Sequence, residues 1–444
     1  MSKNASIYEL DGQPKLSVAV PLGMQHVLAM FTGNIAPIII ISNVLGLPPE
    51  QKIFMIQCAM IVAGLVTMVQ LYPVWRVGAG LPLVMGTSFA FVPTAIAVGQ
   101  SYGLAGILGA SLLGSFAEII MGFFIKPLRR FFPPVVTGVV LVAIGLSLLP
   151  VGINYFAGGV GAPDYGSPQN LFLGFLVLMI IIILQRFGKG LLNVASILIA
   201  LIIGYIVAIP MGKVNFAGVA AAGWISIPMP LQFGLEFHLD AILKFAAVYL
   251  VVGLETLGNI SGITLSGANR EATENEMSGA VIADGMGSLF AAIFNVLPNT
   301  AYGQNAGIVA MTKVMNRFCV ATGAAFLILA GIIPKFGAIC AAMPPSVLGG
   351  AVSVVFSMIT VSGIKMISKA GLDSRNTSIL AISLGLGLGF SSVPASIEQM
   401  PVLLKHFFGD SVVAAGLLAF FLNIIFSHED VLKEKVSESV PTEA

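Results

Sequence analysis

Charged side chains are scarce in this chain. Asp, Glu, Lys and Arg together make up 9% of 444 residues, against roughly 25% in an ordinary soluble domain. So little charge cannot cover the surface of a water-soluble protein of this length, which excludes a soluble globular fold. The net charge of +1 supplies no basic field, so nucleic acid is not an expected partner. Cysteine is also sparse: Cys58, Cys319 and Cys340 lie far apart in apolar surroundings, without CxxC or Cys/His spacing, and read as buried thiols. The histidines His26, His238, His406 and His428 form no metal-binding spacing. No HExxH motif, paired cysteines or nucleophile–His arrangement is present, so neither an enzyme nor a resident metal or cofactor is expected. The N-terminus lacks the marks of a cleaved signal. Residues 1–15 are polar and mixed in charge, and no small-residue cleavage site follows the first apolar segment.

What the chain has instead is apolar length. Hydrophobic residues make up 57% of it, in stretches of about 20 residues, the length that crosses a hydrocarbon core of about 30 Å. Transmembrane β-strands would be shorter and would alternate in polarity, so the fold class is an all-α membrane protein with the lipid bilayer as its solvent. Fourteen candidate spans follow: 16–36, 52–72, 80–98, 103–125, 134–153, 169–185, 191–211, 241–260, 279–296, 300–314, 318–340, 345–367, 377–393 and 411–427. The windows 80–98 and 300–314 are weak as helices.

Basic residues favour the cytoplasmic side of a membrane protein. With the N-terminus inside and fourteen crossings, the cytoplasmic side holds sixteen basic residues, among them Lys126, Arg129, Arg130, Arg186, Lys189 and Arg270; the opposite side holds Lys52, Lys213, Lys244, Lys335 and Lys405. Removing either weak span alone reverses every later loop and destroys the asymmetry. Both termini are therefore expected in the cytoplasm, and the protein in the cell inner (plasma) membrane.

The two halves repeat. Phe132-Pro133-Pro134-Val135-Val136-Thr137-Gly138 matches Met343-Pro344-Pro345-Ser346-Val347-Leu348-Gly349, and both run on to a Gly-Ile pair, Gly152-Ile153 and Gly363-Ile364, at one offset of 211 residues. The motif opens the fifth and twelfth spans, seven apart, so its copies enter the membrane from opposite sides. Such an inverted repeat of seven plus seven is typical of secondary transporters, where paired interrupted segments point to the binding site. The weak spans fit that description. Gly80–Phe89 and Val296–Asn305 have the composition of extended segments leading into short helices, which membrane depth tolerates only where protein or a cavity covers them. Two half-helices meeting there would aim N-terminal N–H groups at a solute.

An ionisable residue inside a span is costly and a functional candidate by default. Glu255 lies deep in the eighth span and Asp284 near the start of the ninth; Glu118 is in the fourth, where it reads as facing a helix contact, and His26 follows Gln25 in the first. A buried carboxylate can hydrogen-bond solute N–H groups, carry a proton, or simply cap a neighbouring helix. His26 reads as a solute contact or as a hydrogen-bonding hub between helices. Phe89, Phe91 and Tyr302 flank the polar positions and offer faces for a flat heterocycle or for core packing.

The segment Gln304-Asn305-Ala306-Gly307-Ile308-Val309-Ala310-Met311-Thr312-Lys313 resembles the nucleobase–ascorbate transporter motif, Gln/Glu/Pro-Asn-x-Gly-x-x-x-x-Thr-Arg/Lys/Gly, at every specified position. Gln25-His26, the Glu255 segment, Ala283-Asp284-Gly285 and the Pro-Pro helix starts resemble the family in the same order, so the resemblance covers nearly the whole chain. It implies two inverted seven-span repeats, with spans one to four (16–125) and eight to eleven (241–340) as a core domain. Spans five to seven (126–211) and twelve to fourteen (341–427) would form a gate domain. Residues 1–15 and 428–444 would be tails, and 212–240 an extracytoplasmic connection. It further implies transport of a purine, pyrimidine or ascorbate, mostly by proton symport, rocking of core against gate, and commonly a homodimer.

Carried over by position, Glu255 resembles the glutamate that binds ring N–H groups, and Gln304 the motif residue that pairs with the opposite edge of the base. Gly303 would offer a backbone N–H to a carbonyl, while Phe89 and Tyr302 would sandwich or line the ring. Asp284, Asn305, His26 and Thr312 resemble positions important for transport or coupling. Uracil-type relatives carry Glu where Gln304 stands. An amide both donates and accepts, which suits the mixed edge of an oxopurine. Small Ser88 leaves room for the extra oxygen of uric acid. Xanthine and uric acid are therefore the expected substrates, with uracil or another nucleobase as the alternative. Uracil-type relatives also place a His one turn after the glutamate, where this chain has Asn259, so coupling by H+ would fall on Glu255 or Asp284. A sulfate-type anion transporter would share the architecture, but it would usually carry a soluble domain after the last span and lack the Gln304–Lys313 pattern. The topology is directly testable. A membrane-impermeant maleimide added to intact cells should label Ser167→Cys, in the loop after the fifth span, and spare Lys189→Cys until the membrane is permeabilised.

Overall fold

The computed structural model describes residues 6–125 and 133–426. The basic cluster Lys126–Arg130, Phe132 of the first Pro-Pro motif, and His428, Lys433 and Lys435 of the C-terminal tail lie outside the described residues.

The first half of the chain forms α1 (Leu16–Val44), α2 (Pro49–Leu71), β1 (Met85–Thr87), α3 (Val92–Phe123), α4 (Pro134–Phe156), α5 (Pro168–Phe187) and α6 (Ser196–Ala208). The second half forms α7 (Leu239–Ala268), α8 (Glu274–Ile293), β2 (Asn299–Ala301), α9 (Gly303–Thr312), α10 (Arg317–Gly331), α11 (Pro334–Ala341), α12 (Pro345–Ala370), α13 (Ser374–Ser392) and α14 (Ser411–Ile425). Short helical turns at 191–194, 217–221 and 402–408 lie between them. Every predicted window contains helix. Among the described residues, seven helices are long and apolar enough to cross a bilayer: α1, α2, α3 with its preceding turn, α4, α5, α7 and α12. The pair α10 and α11, bent by 86° at its break, makes an eighth candidate.

Local chemistry sets the boundaries. Proline opens α2, α5 and α11 in their first turns, where its missing N–H costs nothing; α4 and α12 likewise start on the second proline of the repeated motif. The break expected between the third and fourth spans falls at Gly103 within α3, whose φ of 68° and ψ of −169° suit glycine. Asn269, left-handed at φ 52°, ends α7. Thr273 and Glu276 then form a capping box that starts α8, with Arg270 Nη2 donating to Glu276 Oε1 at 2.6 Å.

The chain divides into two compact units, one comprising the residues up to Ile125 with Leu149–Val355, the other the residues up to Leu148 that follow Ile125 together with those from Phe356 onward. In the first, Leu173, Val177 and Ile181 of α5 pack with Ala200, Leu201 and Ala208 of α6 and with Val347 and Ala351. In the second, Val135, Val139 and Ala143 pack with Ile379, Ala415 and Ala419. Glycines of the repeated motif serve close helix approach within that unit. A methyl group added at Gly363 would lie 2.7 Å from the Gly138 carbonyl oxygen, and one at Gly138 would lie 2.9 Å from the Gly363 carbonyl oxygen. Small residues at such crossings replace a hydrophobic driving force that lipid does not supply.

Overpacking this contact should be costly. Gly363→Ala is expected to destabilise the detergent-solubilised protein by about 1–3 kcal/mol, read as a lower melting temperature. Gly385→Ala, where an added methyl meets nothing within 4 Å, should not lower it.

Candidate functional site

The two weak windows converge. β1 and β2 pair antiparallel, with Met85 opposite Ala301, Gly86 opposite Thr300 and Thr87 opposite Asn299. Ser88 N–H donating to Pro298 O at 2.8 Å and Tyr302 N–H donating to Val84 O at 3.0 Å extend the ladder at its two ends. All six strand residues are buried. Extended backbone is admissible at membrane depth only with such cover, and the surrounding helices provide it through polar side chains at helical spacing.

From α2, Thr67 Oγ1 accepts from Met85 N–H at 2.9 Å, and three residues on, Gln70 Nε2 donates to Ala280 O at 3.0 Å while its Oε1 accepts from Ala79 N–H at 2.9 Å. From α1, Asn34 Oδ1 accepts from Thr87 N–H at 2.8 Å and from Thr87 Oγ1 at 3.0 Å. On α8, Ser288 Oγ accepts from Asn299 N–H and donates to Asn299 O, both at 3.0 Å. One turn earlier on the same face, Asp284 Oδ2 accepts from Thr300 Oγ1 at 3.5 Å and from Thr256 Oγ1 of α7. Asn259 of α7 donates from Nδ2 to Ala301 O at 2.8 Å.

Tyr302 closes the crossing. Its ring lies on two glycines, since a methyl at Gly33 would stand 2.7 Å from its hydroxyl oxygen and one at Gly86 would stand 2.9 Å from Cε2. Its hydroxyl donates to Thr87 O at 2.6 Å. The next residue opens α9, and Gly303 runs close enough to α7 that a methyl there would lie 2.7 Å from Asn259 Oδ1. Glu255 is one turn before Asn259 on α7 and thus on the same face, turned toward the first turn of α9. Glu255 is half-buried and Gln304 exposed, and no side chain caps the start of α9 between them in sequence order.

Three carboxyl groups lie within electrostatic reach of one another here: Glu255, Asp284 and Glu118 of α3. None takes part in an ion pair among the described residues. No group of three or more His, Cys, Asp or Glu among those residues is arranged to hold a metal.

The other predicted residues divide between this crossing and its supports. Asn305 and His26 are buried together, Asn305 Nδ2 donating to His26 Nδ1 at 2.7 Å, which ties α9 to α1. Ser88 is buried, and its hydroxyl accepts from Ala90 N–H at 3.3 Å, capping the 3-10 turn Phe89–Phe91. Phe89 is 7% exposed, whereas Phe91 is wholly enclosed and packs against Tyr249 with ring centroids 4.4 Å apart and the planes tilted by 56°. Thr312 stands at the far end of α9. It donates to Ile308 O at 2.9 Å, and Lys313, left-handed at φ 58°, ends the helix after it. Sequence reasoning passed over Asn34, Thr87, Thr256 and Ser288. An amide beside Gly33 in an apolar helix was the available signal for Asn34; single hydroxyls carry none.

With this geometry in view, comparison with known proteins is decisive. The sequence model described as a permease family, Xan_ur_permease, matches residues 17–396. The chain belongs to this permease family, the family of nucleobase–ascorbate transporters. The permease is 37% identical to the xanthine permease of Bacillus subtilis over 91% of its own length and 93% of that protein's. It is 34% identical to the uric acid transporter UacT of Escherichia coli, over 94% of its own length and 88% of the other's. Its fold is shared with the transmembrane domain of the cyanobacterial bicarbonate transporter BicA, at a TM-score of 0.56 and 14% identity, covering 93% of the permease and 98% of that chain. That likeness concerns the fold alone. The permease is an integral membrane protein, and its relatives are transporters rather than enzymes.

Asn34 is the support most open to test. Asn34→Ala leaves the buried Thr87 N–H without its acceptor and should lower stability by about 1–3 kcal/mol, measured as thermal unfolding of the permease in detergent.

Proposed function

We propose that this permease imports an oxopurine, xanthine and/or uric acid, by proton symport with alternating access. The observation that carries the reading is the close approach of Gly303, at the start of α9, to Asn259 of α7, one turn after half-buried Glu255 and one residue before exposed Gln304. A heterocycle bound there donates ring N–H groups to Glu255 and meets an amide on its other edge, which both gives and takes a hydrogen bond. The Gly303 N–H, at the positive end of α9, donates to a ring carbonyl. Phe89 and Tyr302 bound the ring. Ser88, with its hydroxyl turned to Ala90, contributes small size and space for the third oxygen of uric acid.

The names of the relatives agree with this substrate class. The architecture proposed around it has fourteen spans in two inverted repeats, to which the antiparallel pairing of β1 with β2 lends support. The core comprises 16–125 and 241–340 and the gate 126–211 and 341–427, in a homodimer of the inner membrane with both termini cytoplasmic. The fold shared with a bicarbonate transporter does not favour an anion substrate, because Glu255, an acid, stands near the helix start that would otherwise attract one.

Radiolabelled xanthine uptake into cells producing the permease tests this. Unlabelled xanthine and uric acid should compete and uracil should not, and Glu255→Gln should reduce uptake by about 10- to 100-fold, the range for losing hydrogen bonds to a charged group. Competition by uracil alone would overturn the assignment of Gln304.

A further inference from the structure

Glu118 lies apart from the proposed solute opening at Glu255 and Gln304. It belongs to a polar stripe on α3, Ser111, Ser115 and Glu118, all wholly buried and spaced to fall on one helical face. Two glycines bring that face close to its neighbours. A methyl at Gly253 of α7 would lie 3.2 Å from Glu118 Oε1, and one at Gly285 of α8 would lie 3.0 Å from the Ile119 backbone nitrogen. The residue before Gly285 is Asp284, whose carboxyl thereby meets that of Glu118 at hydrogen-bonding approach.

The donors in this contact are all on one side. Asp284 Oδ2 takes the hydroxyls of Thr256 and Thr300, and the Ala301 N–H also approaches this carboxyl. Asp284 Oδ1 and both carboxyl oxygens of Glu118 receive no hydrogen bond from any other group, although all three atoms are buried. The remaining titratable groups facing Glu118 are Glu255 and Tyr249 of α7, both acids, and the Tyr249 hydroxyl is already paired with Ser111 Oγ at 2.9 Å. Two ionised carboxylates here, Glu118 with no donor and neither with a counter-charge, would each carry a large desolvation penalty and would repel one another. A carboxyl–carboxyl hydrogen bond needs a proton, and like-charged acids in one site share one.

We propose that Glu118 and Asp284 hold a single shared proton and that this pair, rather than Glu255, is where the coupling proton rides. The pair takes up its proton, bridged between a Glu118 oxygen and Asp284 Oδ1, before solute binds and gives it up as solute is released. Because the other Asp284 oxygen holds Thr300 of β2 and Thr256 beside Glu255, the charge of the pair is linked to the solute opening through two hydrogen bonds. This assignment rests on the transport reading above for its coupling role, but the shared proton itself does not.

The experiment uses purified permease. Infrared difference spectroscopy at neutral pH without solute should show a carbonyl stretch from a protonated buried carboxyl, lost in Glu118→Gln and in Asp284→Asn. In proteoliposomes, Glu118→Gln supplies an amide N–H in place of the proton. It should therefore keep xanthine exchange while losing about tenfold or more of the proton-driven accumulation, and the weakening of xanthine binding with rising pH expected of the wild type should flatten, as reciprocal coupling of the two ligands requires. Absence of the band in the wild type, its persistence in folded Glu118→Gln, or protonophore-sensitive accumulation by that variant would overturn the proposal. Asp284→Asn provides the spectroscopic test if Glu118→Gln does not fold. A band present and lost as described in a permease that takes up no purine would leave the shared proton standing and refute the substrate assignment instead.

Discussion

Backbone N–H and C=O groups placed inside a bilayer must find partners within the protein, and the two three-residue strands of this permease are where that demand is most severe. A helix answers it internally, but Met85–Thr87 and Asn299–Ala301 satisfy only part of it by pairing with each other. Helices α1, α2, α7 and α8 each commit an amide or hydroxyl side chain to the rest: Asn34, Thr67, Asn259 and Ser288. The crossing is thus a polar knot surrounded by apolar helices, and the arrangement of those helices follows from it.

The knot also sorts the acidic groups by task. Glu255 projects from α7 beside the start of α9, half-exposed, with helix-start N–H groups near it. Asp284 divides its oxygens between strand support and the enclosed Glu118 contact. That division connects the proposed solute opening to the enclosed acid pair through side chains only one or two hydrogen bonds apart. Tyr302 rests on Gly33 and Gly86, positions where any side chain would displace it.

Much of this was legible from the chain. Apolar length and the repeated Pro-Pro motif located the helices, and the composition of 80–98 and 300–314 marked those windows as extended segments leading into short helices. The break at Gly103 fell where the spans were divided. Asp284 stood out because an acid in an apolar run is rare. Other assignments changed their physical meaning. Glu118, read as facing a helix contact, meets another carboxyl. Asn259, noted as a position that cannot titrate, fastens β2 to α7. Thr312, grouped with transport-critical residues through the motif, stands at the terminus of α9, remote from the crossing. Phe91, as likely a ring contact as a core residue on periodicity alone, is core.

By itself the sequence determined the solvent of this protein, the helical class and the family, because each of these depends on composition and local order along the chain: the length of apolar runs, the placement of prolines and glycines, and the ten residues from Gln304 to Lys313. Only the tertiary structure decided which buried acids touch. Glu118 and Asp284 are far apart in the chain and on different helices, and their meeting depends on glycines at 253 and 285 that let α7 and α8 approach α3. Close approach of backbones is a property of packed surfaces, and no pattern within a single helix encodes the partner it will meet.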